Sequence, residues 1–209
     1  QESIQGTQWW TSYQPVSYKL DSKLGTEAEF KNMIKQCNAV GVDIIADVVL
    51  NQTTGADVAD GKQTGVAGTE YNGSTGDYPG FATEQYPEGI TASDFHSCSK
   101  NISNYANQQE VQECRLSSMW DFDSESEKVQ DIQSDYLAAL WNAGVRGFRM
   151  DAVKHIHTDS MKAIKEKFAK KIGVNADSIY WIQEVIGNSS EAAGIQPSNY
   201  VQNGTVTEF

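Results

Sequence analysis

Arg149 and Asp151 stand two residues apart at the end of the apolar run Val145-Arg-Gly-Phe-Arg-Met150. In a strand, residues i and i+2 project to one face, so both groups point the same way. A guanidinium beside a carboxylate lowers its pKa and keeps it ionised. A fixed, ionised carboxylate can attack an anomeric carbon; a structural ion pair would use the same two residues. One helix later, a second apolar run, Ile179–Val185, carries Glu184 among Trp181, Ile182, Val185 and Ile186. Apolar neighbours raise a carboxyl pKa, as a general acid requires. A solvent-exposed glutamate at a strand end is the plainer alternative. On consecutive strands, the two carboxylates suggest the pair of a retaining glycosidase, whose carboxyl groups stand about 5–5.5 Å apart.

Such a pair needs strands to hold it, and the sequence supplies helix followed by strand three times. Thr26-Glu-Ala-Glu29 reads as a capping box, with Phe30, Met33, Ile34, Cys37 and Val40 at helical spacing and Gly41 as the stop. Val42–Leu50 then reads as a strand buried on both faces. Ser124-Glu-Ser-Glu127 opens a second helix with Val129, Ile132, Tyr136, Leu137, Leu140 and Trp141 on one side; Gly144 ends it and Val145–Met150 follows as a strand. Thr158 or Asp159 caps a third, carrying Met161, Ile164, Phe168 and Ile172; Gly173 ends it and Ile179–Val185 follows. Residues 201–209 read as the start of another strand.

Helices alternating with buried strands predict an α/β fold with a parallel sheet. Asn51, Asp151 and Glu184 all fall at strand C-terminal ends, where such folds keep their sites. No glycine-rich nucleotide loop follows any strand. Residues 52–120 break the rhythm. They are rich in Gly, Ser, Thr, Asn, Asp and Tyr, and a loop of that length is either disordered or a small subdomain. The interleaved aromatics and two cysteines favour a folded insertion of irregular β structure. The expected boundaries are 1–51, 52–120 and 121–209.

Composition narrows the function. With 209 residues the chain is long enough for one domain with a substantial core. The net charge of −12 repels nucleic acid and anionic membrane but leaves a neutral substrate unaffected. No run of 18 apolar residues predicts a membrane span. Beginning at Gln1, the chain reads as processed or truncated at its N-terminus. Cys98 and Cys114 flank a polar, Asn-rich segment and could close a short disulfide. Cys37 is either a buried thiol or half of a bond to a partner outside these residues. Asn-x-Ser/Thr sequons at Asn51, Asn72, Asn101, Asn188 and Asn203 lend weak support to secretion. Trp9, Trp10 and Tyr13 cluster near the start, as core or as a sugar-stacking rim. Asn51, Asp121 and the backbone near His155 offer oxygen ligands of the kind a hard cation takes; a turn cap at Asn51 and a helix start at Asp121 would explain the same residues.

At these residues the chain resembles α-amylases of glycoside hydrolase family 13, most closely the animal-type subgroup shared with some bacteria. The matching segments are Trp9-Trp10, Tyr13-Gln-Pro-Val-Ser-Tyr-Lys-Leu20, Asp47-Val-Val-Leu-Asn51, Gly147-Phe-Arg-Met-Asp-Ala-Val-Lys-His155, Gln183-Glu-Val-Ile186 and Asn203-Gly-Thr-Val-Thr-Glu-Phe209. The resemblance implies part of a (β/α)8 barrel with a domain inserted after the third strand; an open doubly wound sheet is the runner-up. It implies a secreted, monomeric enzyme that cuts starch, glycogen and maltooligosaccharides internally, with an exo-acting glucosidase or transglycosylase as the variant within the enzymes.

The roles it implies fall on single residues. Asp151 would be the nucleophile and Glu184 the acid/base. Arg149 would orient Asp151 and, in chloride-dependent members, bind chloride. Lys154 and His155 would contact sugar on the leaving-group side, and Trp9, Trp10, Tyr13, Gln14 and Tyr105 would line the glucan cleft. Calcium would be held by the Asn51 and Asp121 side chains and the carbonyls of Gln112 and His155. Cys98 and Cys114 match a family disulfide, and Cys37 a cysteine paired upstream of Gln1. Two departures stand out. The family's first motif ends in Asn-His, and that histidine binds sugar at the cleavage point; here Gln52 replaces it, able to hydrogen-bond but not to carry charge. The motif bearing a third catalytic carboxylate does not occur, so the chain reads as the middle of a catalytic domain, with a silent starch- or calcium-binding relative as the alternative of a different class.

Overall fold

The computed structural model describes residues 1–209. Two short strands, β1 (Glu2–Ser3) and β2 (Pro15–Ser17), pair antiparallel and lead into helix α1 (Glu27–Ala39). Strand β3 (Ile45–Val48) follows. After it come three short strands, β4 (Gln52–Gly55), β5 (Gln63–Thr64) and β6 (Glu70–Tyr71), then helix α2 (Gln108–Glu113) and strand β7 (Met119–Asp121). The rest alternates: α3 (Glu127–Ala143), β8 (Gly147–Met150), α4 (Thr158–Ile172), β9 (Tyr180–Gln183) and β10 (Thr205–Val206).

The expected parallel sheet is present in the order β3-β8-β9-β10, every pairing parallel. Asp47 lies opposite Arg149 and Arg149 opposite Ile182, so equivalent strand ends are level. The principal core joins Val48, Leu50, Phe148, Met150 and Trp181 to Leu137, Leu140, Ile164 and Phe168 from the two helices packed on the sheet. Gly144 and Gly173 close α3 and α4 in the left-handed conformation, as the sequence predicts.

Four expectations need correction. The strands are shorter than their apolar runs, because the pairing partner rather than the run sets where the ladder stops. β3 is not buried on both faces: it is an edge strand with Ile45 and Asp47 exposed. The predicted face of α1 is buried only at Ile34, with Met33 and Val40 exposed. The capping box at Thr26 and Glu29 is formed, but α3 and α4 start differently. Ser126 and His157 occupy their N-cap positions, and neither side chain bonds the helix.

Residues 52–120 form irregular structure tied by the antiparallel pairs β4–β7 and β5–β6 and by isolated bridges. An aromatic cluster of nine buried residues lies beneath them. Tyr71, Tyr78, Phe81, Ile90 and Phe95 come from this segment; Val16, Phe122, Val129 and Ile132 come from outside it. The segment therefore shares its core with β2 and α3. Cys98 and Cys114 are joined in a disulfide across it, and Cys37 is free and half-buried. No helix is long and apolar enough to cross a membrane.

Candidate active site

Arg149 projects from β8 into a ring of three carboxylates. Its Nη1 donates to Asp47 Oδ1 at 2.8 Å and to Asp151 Oδ1 at 2.7 Å, and Nη2 lies 2.7 Å from Glu184 Oε1. Asp47 comes from β3, Asp151 follows β8 and Glu184 follows β9. The ladder continues through the site: Asp151 N–H donates to the Val48 carbonyl and Glu184 N–H to the Met150 carbonyl, each at 2.9 Å. The other Glu184 oxygen accepts the Ala152 N–H at 2.9 Å. Ala152 has φ 50°, a left-handed conformation uncommon for a residue with a Cβ, and this turn lets the chain after Asp151 meet Glu184.

The electrostatics reverse one sequence expectation. Burial pushes the Asp151 carboxyl up to about 6, and the Glu184 charge adds to this; the Arg149 guanidinium opposes both without overcoming them. The guanidinium itself is held above its ordinary value, since the surrounding carboxylates outweigh its burial. One positive charge faces three acids, leaving the site short of positive charge. Asp47 is the member that spacing does not single out: it is 102 residues from Arg149 and meets it only through strand register. Tyr13 completes the ring by donating its hydroxyl to Asp47 Oδ2 at 2.7 Å.

The other expected site residues divide into exposed and engaged groups. Trp9 is 74% and Trp10 50% exposed, and both make edge contacts within the cluster that includes Tyr13, so they form a rim rather than core. Gln14 is half-buried and accepts the Gly55 N–H. Gln52 is buried, and its amide donates to the Tyr13 carbonyl at 3.1 Å, which directs that nitrogen to the backbone. Lys154 is buried in an ion pair with Glu191 at 2.7 Å, its ammonium over the Tyr105 ring. His155 points Nδ1 at the Val111 carbonyl, and burial lowers it to about 4, so the ring is neutral. Glu191 was not singled out by the sequence; its spacing from Lys154 carries no local signal.

The residues expected to hold a cation come together below β7. Asn51 and Asp121 are both 2% exposed, and the Asn51 amide faces the Asp121 carboxyl. Asn51 Nδ2 and Asp121 Oδ1 are buried without a hydrogen-bond partner. Burial pushes Asp121 up to about 7 despite the bond from His96. A buried, unpaired carboxylate oxygen beside an amide that rotation can turn oxygen-first is what a hard cation satisfies. α2, which carries Gln112, packs against the 3-10 turn Val153–His155, so both expected carbonyl donors lie on adjoining backbone. The residues present fit calcium.

The family model for the α-amylase catalytic domain matches residues 9–193. The chain belongs to the α-amylase family. Among its relatives, α-amylase from Streptomyces violaceus is 39% identical over all of this chain, which spans 33% of that protein. The α-amylase of Aeromonas hydrophila is 40% identical over the whole chain, which spans 42% of it. α-Amylase-related proteins of Drosophila are 37–38% identical. The crystal structure of α-amylase I from Eisenia fetida superposes with a TM-score of 0.87 at 35% identity, over all of this chain and 42% of that one. A variant of the same Eisenia enzyme is known in complex with maltohexaose. The chain thus spans less than half the length of these α-amylases, and the matched part contains the carboxylate ring and the Asn51–Asp121 pair.

Proposed function

We propose that the α-amylase domain to which these residues belong hydrolyses internal α-1,4-glucosidic bonds of starch- and glycogen-type glucans with retention. The observation that carries this reading is Arg149 holding Asp151 and Glu184 together at the ends of adjacent parallel strands. Asp151 attacks the anomeric carbon while Glu184 gives its proton to the departing glycosidic oxygen. Glu184 then takes a proton from water, which displaces Asp151 and restores both groups. Arg149, held between Asp47 and both catalytic groups, fixes their relative position. A neutral sugar chain lies along Trp9, Trp10, Tyr13, Gln14 and Tyr105, stacking on the exposed rings. Lys154 and His155 border the leaving-group side.

The same reading places these residues as the third to sixth strands of a (β/α)8 barrel with 52–120 as its inserted domain. Asn51, Asp121 and the carbonyls of Gln112 and His155 would hold calcium, which supplies cohesion between that segment and the strand bearing Asp151. Three carboxylates engage Arg149 and compete with any chloride there. A disulfide and the family support a secreted protein acting on polysaccharide. The isolated 209-residue chain is expected to be inactive, because both edges of its four-stranded sheet are open.

The test is hydrolysis of soluble starch by the full-length protein, with the anomeric form of the first product followed by NMR. Release of α-anomeric ends supports retention; β-anomeric ends would show inversion. Glucan binding without any release of reducing ends would instead favour a silent relative. The observation behind that second reading is Gln52, which stands where the family's histidine binds sugar and gives its amide to Tyr13.

A further inference from the structure

A second cluster of ligating side chains lies next to the proposed calcium pair but uses different atoms. His96 directs Nδ1 at Asp121 Oδ2 at 2.7 Å and Nε2 at Glu125 Oε2 at 3.0 Å. His157 Nε2 lies 2.9 Å from Glu125 Oε1 and has no hydrogen bond of acceptable geometry. One ligand atom from each of His96, Glu125 and His157 lies within 4.8 Å of the others. Glu113 and Asp123 flank them, 3.7 Å from His157 Nε2 and 3.8 Å from His96 Nε2. A polar cavity of about 480 Å³ opens beside Glu125 and His157 and gives a path to solvent.

We propose that His96, Glu125 and His157 form a binding site for a divalent transition metal of the zinc type, separate from the calcium pair. Two imidazoles and a carboxylate are the ligand set such a cation prefers, whereas calcium prefers oxygen alone. Glu113 or Asp123 can complete four-coordination after a rotamer change. The carboxylate behind His96 Nδ1 orients that ring with Nε2 toward the cluster, the arrangement in which a metal-ligating histidine is usually held. The ligands come from three places: the loop before α2, the turn before α3 and the N-cap of α4. A bound metal would clamp the 52–120 segment to both helices. His157 is also an N-cap residue that makes no capping bond, so its ring is free for this second role.

The competing description is metal-free: two imidazolium rings neutralised by the surrounding carboxylates. Titration calorimetry of the calcium-loaded full-length protein with Zn²⁺ at pH 7.5 distinguishes the two. The site predicts one equivalent bound, a shift to higher thermal midpoint with zinc, and at least a tenfold loss of affinity in His157→Gln. Glu125→Gln should weaken binding comparably, and both variants should keep the wild-type melting behaviour in chelator, which separates lost metal from lost fold. Co²⁺ should give the visible absorption of a nitrogen- and oxygen-ligated ion in wild type and lose it in His157→Gln. No zinc heat at a hundredfold excess would overturn the proposal. So would unchanged affinity in both variants, or displacement of one calcium per zinc bound.

Discussion

The Arg149 ring and the Asp121 cluster are both assemblies of acids around a few positive or neutral groups, but they are built in opposite ways. The first stands on the level ends of three parallel strands, and its members are partly open to solvent. Glu184, Asp151 and Arg149 keep 19%, 12% and 27% side-chain exposure. The second is assembled from a loop, two helix starts and a strand end. Its Asp121 carboxylate is closed away, with one oxygen unpaired. Spare capacity facing outward suits an arriving substrate; spare capacity facing inward suits a resident cation. The contrast predicts that changes in the ring alter rate more than stability, and that changes in the cluster alter both.

The largest effect should come from the ring. Glu184→Gln removes the only proton assigned to the leaving oxygen and should lower kcat on soluble starch by roughly 10²–10⁴-fold, with glucan affinity nearly kept. A kcat within threefold of wild type would remove Glu184 from the acid role. Next is the cluster. Asn51→Ala should cost about 1–3 kcal/mol by removing a proposed calcium ligand from beside the buried, unpaired Asp121 oxygen, and activity should fall with it. Chelation of the wild-type protein should reproduce both losses, and should do little further to the variant. If chelator leaves melting and rate unchanged, the calcium reading fails and the two regions no longer differ in the way described.

The sequence made the ring more legible than the cluster for a physical reason. Arg149 and Asp151 share a face through the two-residue period of a strand, and Glu184 ends the next apolar run. Asp47 escaped because its partner is fixed by inter-strand register, which no local pattern encodes. In the cluster, Asn51 and Asp121 are legible as oxygen ligands but gain a calcium role only through the family resemblance, whereas His96, Glu125 and His157 are scattered singly and meet only in three dimensions. The helix ends show the same division. Gly144 and Gly173 were readable because a left-handed cap favours one residue type, but the starts of α3 and α4 were not, since neither uses its side chain as a cap. The exposed face of α1 was misread because periodicity reports which residues could be buried, not whether another layer covers them.

A smaller effect separates the ring's chemistry from its stability. Asp151 titrates near 6 in the folded protein, above its ordinary value of 3.8. Between those values the folded state holds a proton that the unfolded state has lost, so stability is greatest below the ordinary value and falls as pH rises to about 6. Above that, the folded protein carries the buried charge at a cost. Asp151→Asn removes that cost while Arg149 keeps Asp47 and Glu184. The variant should melt a few degrees above wild type at pH 7.5, roughly what 1–2 kcal/mol gives in a domain of this size, and the two should converge near pH 4. A variant less stable at both pH values would show that the ion pair outweighs the burial.

The smallest expected change is at Ala152, whose φ of 50° lies in the region where a Cβ is unfavourable. For an L-residue that conformation costs about 1–2 kcal/mol, so Ala152→Gly should relieve it. Glycine also enlarges the freedom of the unfolded chain, which costs about 0.4–1 kcal/mol in the other direction. The two terms nearly cancel, and the melting temperature of Ala152→Gly should move by no more than a few degrees. The rate is where the difference should show. Ala152 N–H is the backbone group that holds Glu184, at 2.9 Å, and a freer hinge there loosens the acid relative to Asp151. A fall in kcat at nearly constant melting temperature would mark the strained turn as part of the positioning device. A parallel loss of both would make it only a structural turn, and the ring would then resemble the cluster more closely than its construction suggests.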